Sequence, residues 1–125
     1  MMQVKLNLTI EGKWFDMIAR GEKLEEYCGF GNSSVIKIVN EATHSLCREM
    51  SDWCLILRNG CNMNSRALAV KILNLGIRKS DRHHNERMHP EWGEPKTHKA
   101  YLVIYLGSIV AKGTYAEVKR QTAEN

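Results

Sequence analysis

The stretch Gly21-Glu22-Lys23-Leu24-Glu25-Glu26-Tyr27-Cys28 marks a change of hydrophobic period. Before it, Trp14, Met17 and Ile18 share one helical face, with Phe15 and Ala19 beside them and Asp16 and Arg20 pointing away. Gly21 follows the last turn, where a residue with positive φ is often needed. After it, Leu24 to Phe30 reads as a strand, with Leu24, Glu26, Cys28 and Phe30 on one face and Glu25 and Tyr27 on the other. A lysine and a carboxylate three residues apart therefore fall where a helix hands over to a strand. That junction concentrates charge with no evident solubility reason, which makes it the candidate site.

Upstream, Val4, Leu6, Leu8 and Ile10 alternate with Lys5, Asn7 and Thr9, the period of a strand with one buried face. Downstream, Gly29 to Ser34 is a turn with capping residues, and a second helix is expected from about Ser34 on the spacing of Val35, Ile38, Val39, Ala42 and Leu46. Trp53 to Leu57 is a short continuous apolar run, expected as a strand covered on both faces. Arg58-Asn59-Gly60 ends it with turn chemistry. Strands are expected at 66–77 and 100–110, and Thr114 with Glu117 has the pattern of a capping box. The order is strand, helix, strand, helix, then three strands with no crossover helix between them. This argues against a doubly wound parallel sheet. The expected fold class is α+β, a mixed sheet of about five to six strands curled into a partial barrel with two flanking helices. Residues 1–112 form that domain, and 113–125 a C-terminal tail with room for a short helix.

Composition sets the outer bounds. The chain has 125 residues, 43% hydrophobic and 26% charged, which fits one soluble globular domain. Its net charge of +4 is compatible with a polyanion and does not require one. The N-terminal Met-Met-Gln-Val-Lys has no apolar signal stretch, and no apolar run approaches the roughly 20 residues of a spanning helix. Cysteines at 28, 47, 54 and 61 include no Cys-x-x-Cys pair. Reduced thiols in a cytoplasmic protein, away from membranes, are the expectation. Residues 78–98 are the least regular segment, holding both prolines and His83, His84, His89 and His98 without metal-ligand spacing. Neither a metal nor a cofactor is expected.

Trp14-Phe15-Asp16-Met17-Ile18, the Gly21-Glu22-Lys23-x-x-Glu26 run, Arg58-Asn59-Gly60, Arg66, Trp92-Gly93 and Leu106-Gly107 together resemble the ASCH family, in particular its small stand-alone bacterial and phage members. The resemblance spans roughly residues 5 to 110. It implies a PUA-like β-barrel with a cleft beside it containing Lys23 and Glu26, and RNA or a nucleotide-like ligand as the partner. One branch of the family hydrolyses acetylated cytidine with a lysine, a threonine three residues later and a distant glutamate. Two positions depart from the pattern. Cys28 stands where the family has an arginine, so a permanent cation with a bidentate fork is replaced by a thiol. Glu26 stands where the hydrolase branch has threonine.

Each candidate residue has a structural role that competes with the functional one. Lys23 can hold a phosphate or act as a base, or it can simply complement the helix dipole. Glu26 can accept a proton or a base edge, or it can pair with Lys23 and fix the junction. Arg58 suits phosphate and Asn59 a base edge, while Asn59-Gly60 is also plain turn chemistry. Arg66 is expected near Arg58 across a hairpin, with Glu26 between the two guanidiniums. Trp92 offers a stacking surface for a single strand, or packs against the barrel. Tyr27 and Cys28 complete the candidate ligand-binding set, with Tyr27 otherwise a strand residue and Cys28 either a nucleophile or an inert small residue. Three functions follow: an RNA- or nucleotide-binding ASCH module, an amidohydrolase of N-acylated nucleosides with Lys23 and Glu26 catalytic, and a protein-interaction domain with a vestigial cleft.

Overall fold

The computed structural model describes residues 2–44, 47–79 and 87–123. Leu46, Asp81, Arg82, His83, His84 and Glu86 lie outside the described residues, as does the side chain of Cys47. Among the described residues there are five strands: β1 (Gln3–Thr9), β2 (Glu25–Gly29), β3 (Trp53–Asn59), β4 (Arg66–Arg78) and β5 (Tyr101–Thr114). Three α-helices accompany them: α1 (Gly12–Ala19), α2 (Ser33–His44) and α3 (Tyr115–Ala123). The strands form one mixed sheet in the order β1-β3-β4-β5-β2, in which only β1 and β3 run parallel. The fold is α+β, and the consecutive antiparallel run of β3, β4 and β5 is the arrangement that the absence of crossover helices requires.

The sheet is open, with β1 and β2 as its two edges, so the expected closure into a barrel is not found. One physical reason lies on β2. Leu106 donates its N–H to the Leu24 carbonyl, so the even-numbered residues of β2 face β5 and the Tyr27 N–H points away from it. That outward N–H is taken by Glu26 Oε1 at 2.9 Å rather than by another strand. Leu24, expected within the strand, precedes it and is exposed.

The sheet buries both faces. Phe15 and Ile18 of α1 and Val35 and Ile38 of α2 pack on Leu6, Leu55, Leu57, Leu68, Val70, Ile72, Leu102, Ile104 and Leu106. On the reverse face, Ile56, Ala67 and Ala69 pack on Tyr115 and Val118 of α3. Residues 53–57 are accordingly buried throughout, as the unbroken apolar run anticipates. The tail beyond residue 113 is thus mostly a docked helix that covers the second face.

Helix α1 ends in the residues that place the candidate site. Gly21, at φ 76°, donates its N–H to the Ile18 carbonyl, and Glu22 donates to the Met17 carbonyl. This pairing is a Schellman motif, and the N–H of Lys23 also reaches the Met17 carbonyl at 3.2 Å. The backbone of Lys23 is therefore tied to the helix before β2 begins.

Helix α3 starts with the anticipated capping box, in which Glu117 N–H donates to Thr114 Oγ1 at 3.2 Å and Thr114 N–H donates to Glu117 Oε1 at 3.0 Å. Because α3 covers a core face, loss of the cap is expected to lower the stability of the whole domain. Thr114→Ala is expected to cost about 0.5–2 kcal/mol in a urea-unfolding measurement.

Candidate functional site

The carboxylate of Glu26 and the ammonium of Lys23 form a buried ion pair at 3.2 Å, with the lysine side chain 1% and the glutamate side chain 9% exposed. The Lys23 ammonium also lies 4.9 Å from the centre of the Trp14 ring and 5.6 Å from that of Tyr27. Two aromatic rings thus wall a desolvated cation, an arrangement in which cation–π attraction is at its strongest. Glu26 Oε1 is doubly used, by Lys23 and by the Tyr27 N–H. Glu26 Oε2 is buried and accepts no hydrogen bond from the described residues. A buried acceptor left unmatched costs about 1–3 kcal/mol, so this oxygen is where the site is thermodynamically incomplete. A cavity of about 340 Å³ adjoins Lys23, lined among others by Ile18, Gly21, Leu24, Leu106 and Ile109.

Cys28 lies on the face of β2 that packs against the main core. Burial pushes its thiol up to about 12, Glu26 adds to that, and Lys23 only partly opposes it. It stays protonated at neutral pH, which removes it as a nucleophile and leaves the small inert role.

A second polar cluster lies on the reverse face of β2, where Glu25 and Tyr27 point. The Tyr27 hydroxyl donates to Glu25 Oε1 at 2.9 Å, and Arg78 donates to the same oxygen at 3.1 Å. Arg78 also donates to Glu94 Oε2 through a very short contact, and its other terminal nitrogen reaches the Tyr105 hydroxyl at 3.4 Å. The Glu94 side chain is fully buried. Its Oε1 accepts the N–H groups of Met88 and His89. Burial alone raises a carboxyl, but Arg78 and these two N–H groups outweigh it and hold Glu94 below the ordinary carboxylate range. Arg78 is held correspondingly above the usual guanidinium value: burial works against the charge, and the bonds to Glu25 and Glu94 prevail. The Tyr27 hydroxyl is raised, chiefly by burial and then by its bond to Glu25.

The 3-10 helix Pro90–Trp92 brings the segment after residue 87 over this cluster. His89 stacks on Trp92 at 4.0 Å between ring centres, so one face of the anticipated stacking surface is already occupied. Gly93, at φ 78°, lies against Trp14, where an added Cβ would come within 2.6 Å of the indole. Trp14 is therefore flanked by Gly93 and by the Lys23 ammonium, which joins the two clusters.

The other expected members do not join them. Arg58 pairs with Ala67 in the ladder and faces α3, with its guanidinium 3.8 Å from the centre of the Tyr115 ring and Nε donating to the Gly60 carbonyl. Arg66 pairs with Asn59 and faces α1, bonded to Asp16 at 2.9 Å and lying over Phe15. Asn59 lies beside Gly12. The two arginines thus occupy opposite faces of one hairpin, and Glu26 is bonded to Lys23 rather than placed between them. Sequence reasoning missed Glu25, Arg78, Glu94 and the walling role of Trp14. The available signal was an arginine closing an apolar strand and the glycine before Glu94.

Among the described residues no group of three or more His, Cys, Asp or Glu is arranged to hold a metal. Cys28, Cys54 and Cys61 are free thiols. No described helix is long and apolar enough to cross a membrane. No family model, no curated protein and no solved structure matches the chain.

The depressed Glu94 carboxyl makes the acid limb of stability testable. Its contribution is present above the ordinary carboxylate pKa of roughly 4.3 and is lost as pH falls through the lower folded value. Glu94→Gln is expected to be less stable than wild type at pH 7, with a flatter loss of stability below about pH 4.3 than wild type shows. Urea unfolding across pH 2–7 reads both. Parallel acid limbs in the two proteins would contradict the assignment.

Proposed function

We propose that this chain is a stand-alone ASCH-type domain of the PUA-like class that binds RNA or a nucleotide-like ligand, reading a base at the Lys23–Glu26 pair. The observation that carries the reading is Glu26 Oε2, a buried carboxylate oxygen without a donor, next to an ammonium and two aromatic walls. A nucleobase supplies what such a site lacks. Its exocyclic amino or ring N–H groups donate to a carboxylate, and Trp14 and Tyr27 hold the ammonium that stands beside that oxygen. The element order and the long strands β4 and β5, whose pairing shifts register three times, are compatible with a PUA-like sheet curled short of closure.

The test is quenching of intrinsic tryptophan fluorescence by short RNA homopolymers and by the four nucleoside monophosphates. Micromolar to millimolar binding is expected, with a preference among bases. Glu26→Ala is expected to weaken the preferred base by about 1.5–3 kcal/mol, the range for a hydrogen bond to a charged group. Binding to none of these probes, or equal affinity in the Glu26 variant, would defeat the reading.

A second reading draws on the same oxygen. An unpartnered carboxylate oxygen beside an ammonium is also what a general base toward water requires, and this supports an amidohydrolase acting on an N-acylated nucleoside such as acetylated cytidine. Water rather than Cys28 would then be the nucleophile, Lys23 would polarise the acyl carbonyl, and Glu26 would take the water's proton and pass it to the amine nitrogen as the C–N bond breaks. Incubating the pure protein with acetylated cytidine is expected to give cytidine and acetate, with loss of product in Lys23→Met. An absence of product at high protein concentration would remove this reading for that substrate.

A further inference from the structure

Tyr27 belongs to both clusters. Its backbone N–H holds Glu26 Oε1, its ring faces the Lys23 ammonium, and its hydroxyl passes to the other side of β2 and ends on Glu25. Glu25 is in turn gripped by Arg78, which is gripped by Glu94, which holds the N–H groups of Met88 and His89. A second carboxylate oxygen of Glu25 lies 3.8 Å from His89 Nε2. Tyr101 packs edge-on against Tyr27 with 5.9 Å between ring centres. Glu25, Glu26 and Glu94 are buried and Tyr27 and Arg78 half-buried, and none of their contacts is shared with the capping bonds that hold α1.

We propose that Glu25 and Arg78 are positioning residues for the Lys23–Glu26 site, acting through the Tyr27 hydroxyl to fix the ring and amide that hold the ion pair. The assignment of a ligand to that site rests on the reading given above. The mechanical link does not. A tyrosine whose hydroxyl is released can tilt about its side-chain bonds, and the same tilt shifts the ring under the ammonium and strains the amide on Glu26 Oε1. Displacements well below 1 Å are enough to degrade a site whose groups must meet a ligand at hydrogen-bond distance.

A double-mutant cycle tests this on the full chain. Tyr27→Phe removes the hydroxyl and keeps the ring; Glu25→Gln keeps the shape and weakens the anchor. Each is expected to reduce affinity for the preferred nucleoside monophosphate by roughly 3- to 30-fold. The double variant is expected to lose no more than the worse single one, because both cut the same link. The Glu41→Gln variant, at the separate Lys5–Glu41 pair, is the control and is expected to bind as wild type. Losses that multiply in the double variant would overturn the proposal, as would wild-type affinity in either single variant. The Tyr27 amide and Lys23 ammonium resonances, followed by ¹⁵N NMR, supply a readout that needs no ligand. Both are expected to shift in each single variant and to stay in place in the control. Unmoved resonances in folded Tyr27→Phe would overturn the proposal even if nucleotides bind. Failure of the wild type to bind any nucleotide would instead count against the functional reading, with the resonances still deciding the link.

Discussion

Glu94 has no exposed side-chain surface, and a carboxylate in that position must be matched or neutral. Its partners include one guanidinium and two backbone N–H groups, and the match dictates much of the local architecture. The N–H groups come from Met88 and His89, so the irregular segment after residue 87 has to lie on the sheet. The turn that lets Glu94 reach back passes through Gly93, whose missing side chain admits the Trp14 ring. Trp14 in turn walls Lys23. Removing one partner from a buried pair costs about 3–5 kcal/mol, whereas an exposed pair contributes about 0–1. That difference separates Arg78 from Arg20, whose exposed bridge to Glu22 is geometrically as close and energetically minor.

The order of elements was legible because most of them keep a hydrophobic period and the others carry an apolar run or a cap. The unbroken run at Trp53–Leu57 marked the doubly covered strand, and Thr114 with Glu117 marked the start of α3. The Lys23–Glu26 pair was legible too, since residues three apart across a helix-to-strand junction are brought together by local geometry alone. What lay beyond reach was the side of the sheet. Arg58 and Arg66 bracket one turn and look adjacent, but Arg58 pairs with Ala67 while Arg66 pairs with Asn59, and the period of two sends them to opposite faces. Glu25 read as a strand residue on the face opposite Glu26, with nothing in the local pattern to show what covers it. It is buried because a segment with no period of its own, anchored by Glu94, lies across it. That the sheet stays open was equally hidden, since the strand pattern does not show that the outward N–H of Tyr27 is taken by Glu26.

The charge balance of the site bears on what it can bind. With Arg58 on the α3 face and Cys28 a neutral thiol, Lys23 is the cation of the buried pair, and Glu26 offsets it. A nearly neutral, desolvated ion pair is poorly suited to grip a phosphate, whose cost of dehydration an already neutralised ammonium does not offset. It is well suited to a neutral edge that both donates and accepts, because Glu26 Oε2 supplies an acceptor and Lys23 a donor in fixed relation. The neutral thiol of Cys28 can neither attract an anion nor fork to one as a guanidinium would. Under the proposed base-reading role, recognition would rest on the edge of a base rather than on a phosphate. The phosphate of a bound nucleotide would then meet exposed cations such as Lys13, whose ammonium lies over Trp14 on the rim of the same site.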